Sequence, residues 1–117
     1  MRLPSTFLSE TEFLTFTAVS ELGTATVDDV RDYLVEHHDR DLVYKTVATL
    51  MNRVFVKGWL RNVEAPPPVG QGRPQLLFAA TVPFDDALLH HFHRFLDTFG
   101  LDRPEALAVL KRAIRKM

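Results

Sequence analysis

The residues best suited to chemistry in this chain lie between positions 44 and 61, beginning with Tyr44-Lys45-Thr46-Val47-Ala48-Thr49-Leu50-Met51-Asn52-Arg53-Val54. On helical spacing Val43, Val47, Leu50, Met51 and Val54 fall on one apolar stripe, and Lys45, Thr46, Thr49, Asn52 and Arg53 fall opposite it. The polar set matches the edges that bases present in the major groove of duplex DNA. Asparagine bonds adenine with two hydrogen bonds, arginine reads guanine or phosphate, and a threonine methyl meets the thymine methyl. Lys57 and Arg61, just beyond, suit phosphate oxygens, which position a protein without reading sequence. The plain alternative is a solvated helix face with basic residues in its last turn, where the helix dipole favours them.

Two further constellations stand out. Gly70-Gln71-Gly72-Arg73-Pro74 combines glycines that permit close backbone approach with an arginine able to enter a narrow A·T-rich minor groove. Its alternative is a flexible tip carrying a solvated Arg73. Asp86, His90, His93 and Asp97 sit at i, i+4, i+7 and i+11 and so share one helix face, with side chains that suit zinc, copper or nickel. No second ligand cluster accompanies them, and the favoured reading is a polar face held by Asp–His pairs four residues apart. No metal and no cofactor are therefore expected. There is no glycine-rich phosphate loop, no acid/base pair and no thiol, and Ser5, Ser9 and Ser20 stand in helix or helix-start contexts. No catalytic residue is assigned and no enzyme is expected.

The elements that must position these residues follow from local signals. Ser9 and Glu12 form a capping box opening a helix with Phe13, Phe16, Val19 and Leu22, stopped by Gly23. Thr24-Ala25-Thr26 is short and extended. Thr26, followed by Asp28 and Asp29, opens a second helix with Val27, Val30, Tyr33, Leu34 and His37 on one face, ending near His38. Asp39-Arg40-Asp41 reads as a turn. The third helix spans about 43–57 and is closed by Gly58. Strands are expected at 59–63 and 75–80, joined by the Pro66–Pro68 and Gly70–Gly72 loop as a hairpin. A helix from Asp85 to about Phe99 and a last one capped by Asp102, with Pro104 at its first position, complete the chain.

Bulk properties narrow the class. The chain has 117 residues, no cysteine, 46% hydrophobic and 25% charged residues, which is the make-up of an ordinary globular domain. No apolar run approaches the ~20 residues of a membrane span, and the N-terminus lacks the build of a signal peptide. A cytoplasmic protein without disulfides is expected. The formal net charge of −1 hides a split. Residues 1–42 carry three basic and nine acidic side chains, residues 43–83 five basic and one acidic, and residues 84–117 six basic and five acidic. A segregated basic block is the footprint of a nucleic-acid binder.

Helix, short strand, helix, helix, strand, loop, strand is the order of a winged helix-turn-helix. At residues 44–60 the run Tyr44-Lys45-Thr46-Val47-Ala48-Thr49-Leu50-Met51-Asn52-Arg53, continued by Lys57-Gly58-Trp59-Leu60, resembles the recognition helix of the penicillinase-repressor family. Leu8-Ser9-Glu10-Thr11-Glu12-Phe13 is similar to that family's opening, with Phe13 in the place of a tryptophan, and Asp102 to Lys111 resembles its last dimer helix. The stretch between the hairpin and the last helix is shorter than in the family. It offers no clear counterpart of the segment cut in antibiotic-responsive members.

The resemblance implies a homodimeric, DNA-binding transcriptional repressor. The fold expected is mainly α with a small β-hairpin (α+β), a winged-helix DNA-binding domain over 1–83 and a helical dimerisation region over 84–117. The DNA-binding set is Lys45, Thr46, Thr49, Asn52, Arg53, Lys57, Arg61 and Arg73. Leu88, Leu89, Phe92, Phe95, Leu96 and Phe99, with Leu107, Leu110 and Ile114, form more apolar face than a small core needs, and are assigned to a homodimer interface. The partners expected are double-stranded DNA and a second copy of the chain, with no membrane. The competing class is a winged-helix dimer that binds protein rather than DNA.

Overall fold

The structure is a computed structural model that describes residues 3–64, 76–98, 100 and 103–116. Arg73, Phe99 and Asp102, and with them the hairpin tip, lie outside the described residues. Among the described residues the chain forms five helices and a three-stranded antiparallel sheet. Its contacts cluster into two compact units, residues 1–84 and 85–117.

The first unit begins with α1 (Glu10–Leu22). Ser9 caps it as expected: the Glu12 carboxylate accepts from the Ser9 backbone N–H at 2.8 Å and the Ser9 hydroxyl accepts from the Glu12 N–H at 3.3 Å. Gly23 ends α1 with φ 85°, a left-handed conformation that costs a glycine nothing sterically. The chain then enters β1 (Thr24–Ala25) and α2 (Val27–His38). The start of α2 is also a full capping box, because the Asp29 carboxylate returns to the Thr26 N–H at 3.0 Å.

Asp39 ends α2 in the left-handed region at φ 53°, and the Asp39 and Arg40 amides both turn back onto Leu34 O. Arg31 Nε donates to Leu42 O at 3.0 Å, fastening the far side of this turn to α2. Five residues thus link α2 to α3 (Tyr44–Val56), and their path is set by backbone bonds at one end and a guanidinium at the other. Val47, Leu50, Met51 and Val54 of α3 are buried, as their spacing predicts. Each contributes on the order of 1.5–3 kcal/mol by leaving water. Val43 departs from that stripe. It is the N-cap residue, in extended conformation and 64% exposed, because the helix turns only after it.

β2 (Leu60–Val63) pairs with β3 (Leu77–Ala80), with Arg61 opposite Ala79 and Asn62 opposite Phe78. The expected hairpin gains a third strand: β1 pairs with the other edge of β3, with Thr24 opposite Ala79 and Ala25 opposite Phe78. α1, α2 and α3 pack on one another and on this sheet. Trp59 and Phe16, both fully buried, meet edge to face in the core with ring centroids 5.9 Å apart.

α4 (Phe84–Thr98) begins at the boundary between the units, and α5 (Arg103–Arg115) ends the second unit. Pro104 is the second residue of α5 rather than the first. Leu88, Leu89, Phe95, Leu107, Leu110 and Ile114 are all exposed and Phe92 is half-buried. Leu96, also assigned to that interface from sequence, differs from these: it is 6% exposed within the single chain and has little surface left to offer a partner.

The left-handed turn yields a stability test. Asp39 carries a Cβ where the backbone disfavours one, and a negative charge at the negative end of α2. Asp39→Gly is expected to raise stability by about 0.5–1 kcal/mol, and Asp39→Val to lower it, each measured by thermal denaturation.

Candidate nucleic-acid interface

The buried stripe of α3 fixes which way the rest of the helix faces. With Val47, Leu50, Met51 and Val54 turned into the core, Lys45, Thr46, Thr49, Asn52 and Arg53 are all exposed on the remaining face. The five residues expected to act together are thus on one surface. The Thr49 hydroxyl donates to Lys45 O at 2.9 Å, so that residue is left with a methyl group and an acceptor lone pair to offer. α3 contains no acidic residue. Among the described residues neither Lys45, Arg53 nor Arg61 enters an ion pair, and all three are exposed.

The start of α3 adds to this positive surface. α1 and α2 each carry a carboxylate in a capping box, whereas Val43 gives α3 no side-chain cap and its first turn has no acid. The positive end of the α3 dipole is therefore left uncompensated beside Lys45. Val43, Lys45, Thr46, Thr49, Leu50 and Arg53 together line a shallow depression of about 350 Å³. Tyr44 and Val56 extend the exposed face at its two ends. Sequence reasoning missed Tyr44 and Val56 because it sorted positions into an apolar stripe and a polar face, and these are apolar or aromatic side chains outside the stripe. Val43 it counted within the stripe, whereas the structure exposes it.

Lys57 has a different place. Its Nζ lies 2.7 Å from Glu12 Oε1 and donates to Phe7 O at 3.1 Å, so this ammonium is committed inside the unit rather than held ready for a phosphate. Glu12 is 4% exposed. Burial alone pushes its carboxyl pKa up, but the bond from Lys57, those from Ser9 and the charge of Lys57 outweigh burial and leave it below its ordinary value of 4.5. The backbone carbonyl of Lys57 accepts from the Thr6 hydroxyl, whose oxygen in turn accepts from Trp59 Nε1 at 3.1 Å. Gly58, at φ 94°, makes the turn between them, and the Thr81 hydroxyl donates to Gly58 O at 2.8 Å. The C-terminal end of α3 is therefore clamped by the segment before α1, by α1 itself and by the residue after β3.

The histidines contribute no comparable site. His91 Nδ1 lies 2.8 Å from Ala87 O within α4, and among the described residues no group of three or more His, Asp or Glu side chains is arranged to hold a metal. The Tyr33 ring sits 4.3 Å from that of His37, and burial together with the charge of Glu21 pushes the Tyr33 hydroxyl pKa up.

Comparison with known proteins identifies a family and a shared fold. A family model described as the penicillinase repressor matches residues 8–113, nearly the whole chain. Solved structures share the fold. A complex structure of hsRosR-S1 matches at TM-score 0.58 and 15% identity, over 93% of this chain and 91% of that one. A mutant MarR from E. coli complexed with operator DNA matches at TM-score 0.56 and 16% identity, over 93% and 74%. BpsR from Bordetella bronchiseptica, in a study of how 6-hydroxynicotinic acid regulates its DNA binding, matches at TM-score 0.51 and 21% identity, over 98% and 83%. No curated protein matches the chain.

The clamp makes stability depend on acid. Because the folded state lowers the Glu12 pKa, ionised Glu12 stabilises the fold at neutral pH, and that contribution is lost as pH falls through and below 4.5. Urea unfolding from pH 7 to pH 3 is expected to show this decline in the parent and a shallower one in Glu12→Gln. Lys57→Met, which leaves a buried carboxylate without its cation, is expected to cost about 2–3 kcal/mol at pH 7.

Proposed function

The chain belongs to the penicillinase-repressor family of DNA-binding transcription regulators, and from that premise we propose a homodimeric repressor that occupies a palindromic operator. The observation that carries the reading is the α3 face, where Lys45, Thr46, Thr49, Asn52 and Arg53 are exposed together on a helix without acid. Neither the family nor the winged-helix neighbours are enzymes. The neighbour solved with operator DNA supports the same use of the fold.

In the proposed complex α3 lies in the major groove. Asn52 bonds an adenine edge, Arg53 a guanine edge or a phosphate, and Lys45 a phosphate or base at the opposite end of the helix. Arg61, exposed on β2, takes a backbone phosphate. Arg73, outside the described residues, is assigned to the minor groove on its Gly72-Arg73-Pro74 sequence alone. Lys57 drops out of the contact set because Glu12 holds it. Its contribution is to hold the end of the helix in place, since base readout depends on where the side chains sit.

The exposed apolar residues of α4 and α5 support the second copy. Leu88, Leu89, Phe95, Leu107, Leu110 and Ile114 are too many large side chains to leave in water on a chain of this size. A twofold dimer covers them and presents two α3 helices to half-sites about one DNA turn apart. Bound over a promoter, such a dimer represses by occupancy. Its work on DNA inside the cell implies a cytoplasmic protein.

Selection of bound sequences from a random duplex pool is expected to return a palindrome. On that duplex Lys45→Ala and Arg53→Ala are each expected to weaken binding about 10- to 100-fold. Loss of a phosphate-bound cation should also lower the slope of log affinity against log salt by about one. Equal binding by both variants and the parent would remove α3 from the interface. Sedimentation is expected to give a dimer at micromolar concentration, and Leu110→Glu with Ile114→Glu to give a monomer with weakened operator binding.

A further inference from the structure

The depression on α3 has an unusual make-up for a surface that meets DNA. Val43 and Leu50 supply apolar lining, Thr46 and Thr49 lie beside them, and Lys45 and Arg53 complete the rim. Leu50 is nearly buried, whereas Val43 is largely exposed. Thr49, its hydroxyl given to Lys45 O, adds a methyl more readily than a donor.

Val43 is also a poor choice for its backbone position. It is the N-cap of α3, where serine, threonine, aspartate or asparagine would satisfy a free amide and stabilise the helix. The chain uses such residues at the starts of α1 and α2, with Ser9 and Thr26. At α3 it places an exposed apolar group instead, on the same surface as Lys45 and Arg53. The cations call for a polyanion and the apolar lining calls for an apolar group. In the major groove of duplex DNA the apolar group on an unmodified base edge is the 5-methyl of thymine.

Building on the proposed role in DNA binding, we propose that Val43 is a specificity-determining residue whose depression, shared with Thr46, Thr49 and Leu50, receives a thymine 5-methyl group in each half-site. A 5-methylcytosine carries the same methyl on the same ring atom, so it fits the same place. The contact reads a base through burial of one methyl and needs no hydrogen bond.

The test uses the full chain and the duplex selected from the random pool, with each thymine of a half-site replaced in turn by deoxyuridine. That exchange removes the methyl and leaves the base pair intact. Parent protein is expected to lose affinity about three- to fivefold at one thymine per half-site, the scale of one buried methyl group. Val43→Ser is expected to bind the thymine and uracil duplexes equally at that position, while its thermal stability rises through the restored cap. Replacing the sensitive thymine by cytosine should weaken parent binding, and 5-methylcytosine there should recover part of the loss. The proposal is overturned if no thymine is sensitive, or if the sensitivity survives in Val43→Ser. Those outcomes leave DNA binding standing, whereas a pool that yields no bound duplex overturns both readings.

Discussion

The carboxylate of Glu12 is the constraint on which the placement of α3 depends. It accepts from the Ser9 amide and from Lys57 Nζ, so one buried group both starts α1 and fixes the far end of α3. A buried carboxylate that loses a partner is expensive, which gives this connection little freedom to slide. Around it Thr6 joins Lys57 O to the Trp59 indole, and Trp59 packs on Phe16 of α1. The helix that carries the candidate contacts is therefore held from behind by its hydrophobic stripe and at its end by polar bonds. Hydrophobic burial alone tolerates small rotations and slips of a helix. Directional bonds at one end do not.

The same residues explain why the exposed face of α3 can be so one-sided. A helix needs something at its N-terminus and a hydrophobic stripe at its back, and α1 and α2 meet the first need with carboxylates. A carboxylate at the start of α3 would stand on the surface that Lys45 and Arg53 make positive. Val43 avoids that charge and forgoes the cap. The lost helix stability is small beside the burial of Val47, Met51 and Val54, so the core can carry a weak start. Acid is concentrated instead on α2, where Asp28, Asp29, Asp32 and Glu36 are exposed.

Much of this was legible in the sequence because the signals are local. The box formed by Ser9 and Glu12 spans three residues, and the stripe of α3 repeats within one helix, so both can be read from spacing. What escaped was non-local. β1 was readable as a short extended segment at Thr24–Ala25, but its pairing with β3 was not, since no property of those two residues announces that partner. Lys57 in the last turn before Gly58 looks the same whether it awaits a phosphate or a carboxylate, and its partner lies 45 positions earlier. Glu12 was visible as a capping residue, but its second bond was not. Val43 fits the apolar stripe by count, yet the helix starts one residue later and leaves it outside the core. The candidate DNA face was thus readable as a set of side chains, whereas the bonds that aim it were not.

The charge distribution then bears on why the proposed repressor would work as a pair. Per chain, the cations proposed for DNA are few: Lys45 and Arg53 on α3, Arg61 on β2, and Arg73 from sequence alone, within a protein of net charge −1. Affinity from counterion release grows with the number of phosphates neutralised, so a single winged-helix unit of this composition binds non-specific DNA weakly. That weakness is useful in a repressor, because it lessens competition from the rest of the genome. Specific affinity must then come from joining two half-site contacts, where the second forms at the high effective concentration set by the first. In the proposed dimer the exposed apolar residues of α4 and α5 would provide the means of joining, through a driving force that salt does not screen. There the ionic contacts that would locate DNA and the apolar contacts that would pair the subunits fall on different elements, so each could be tuned without loss of the other.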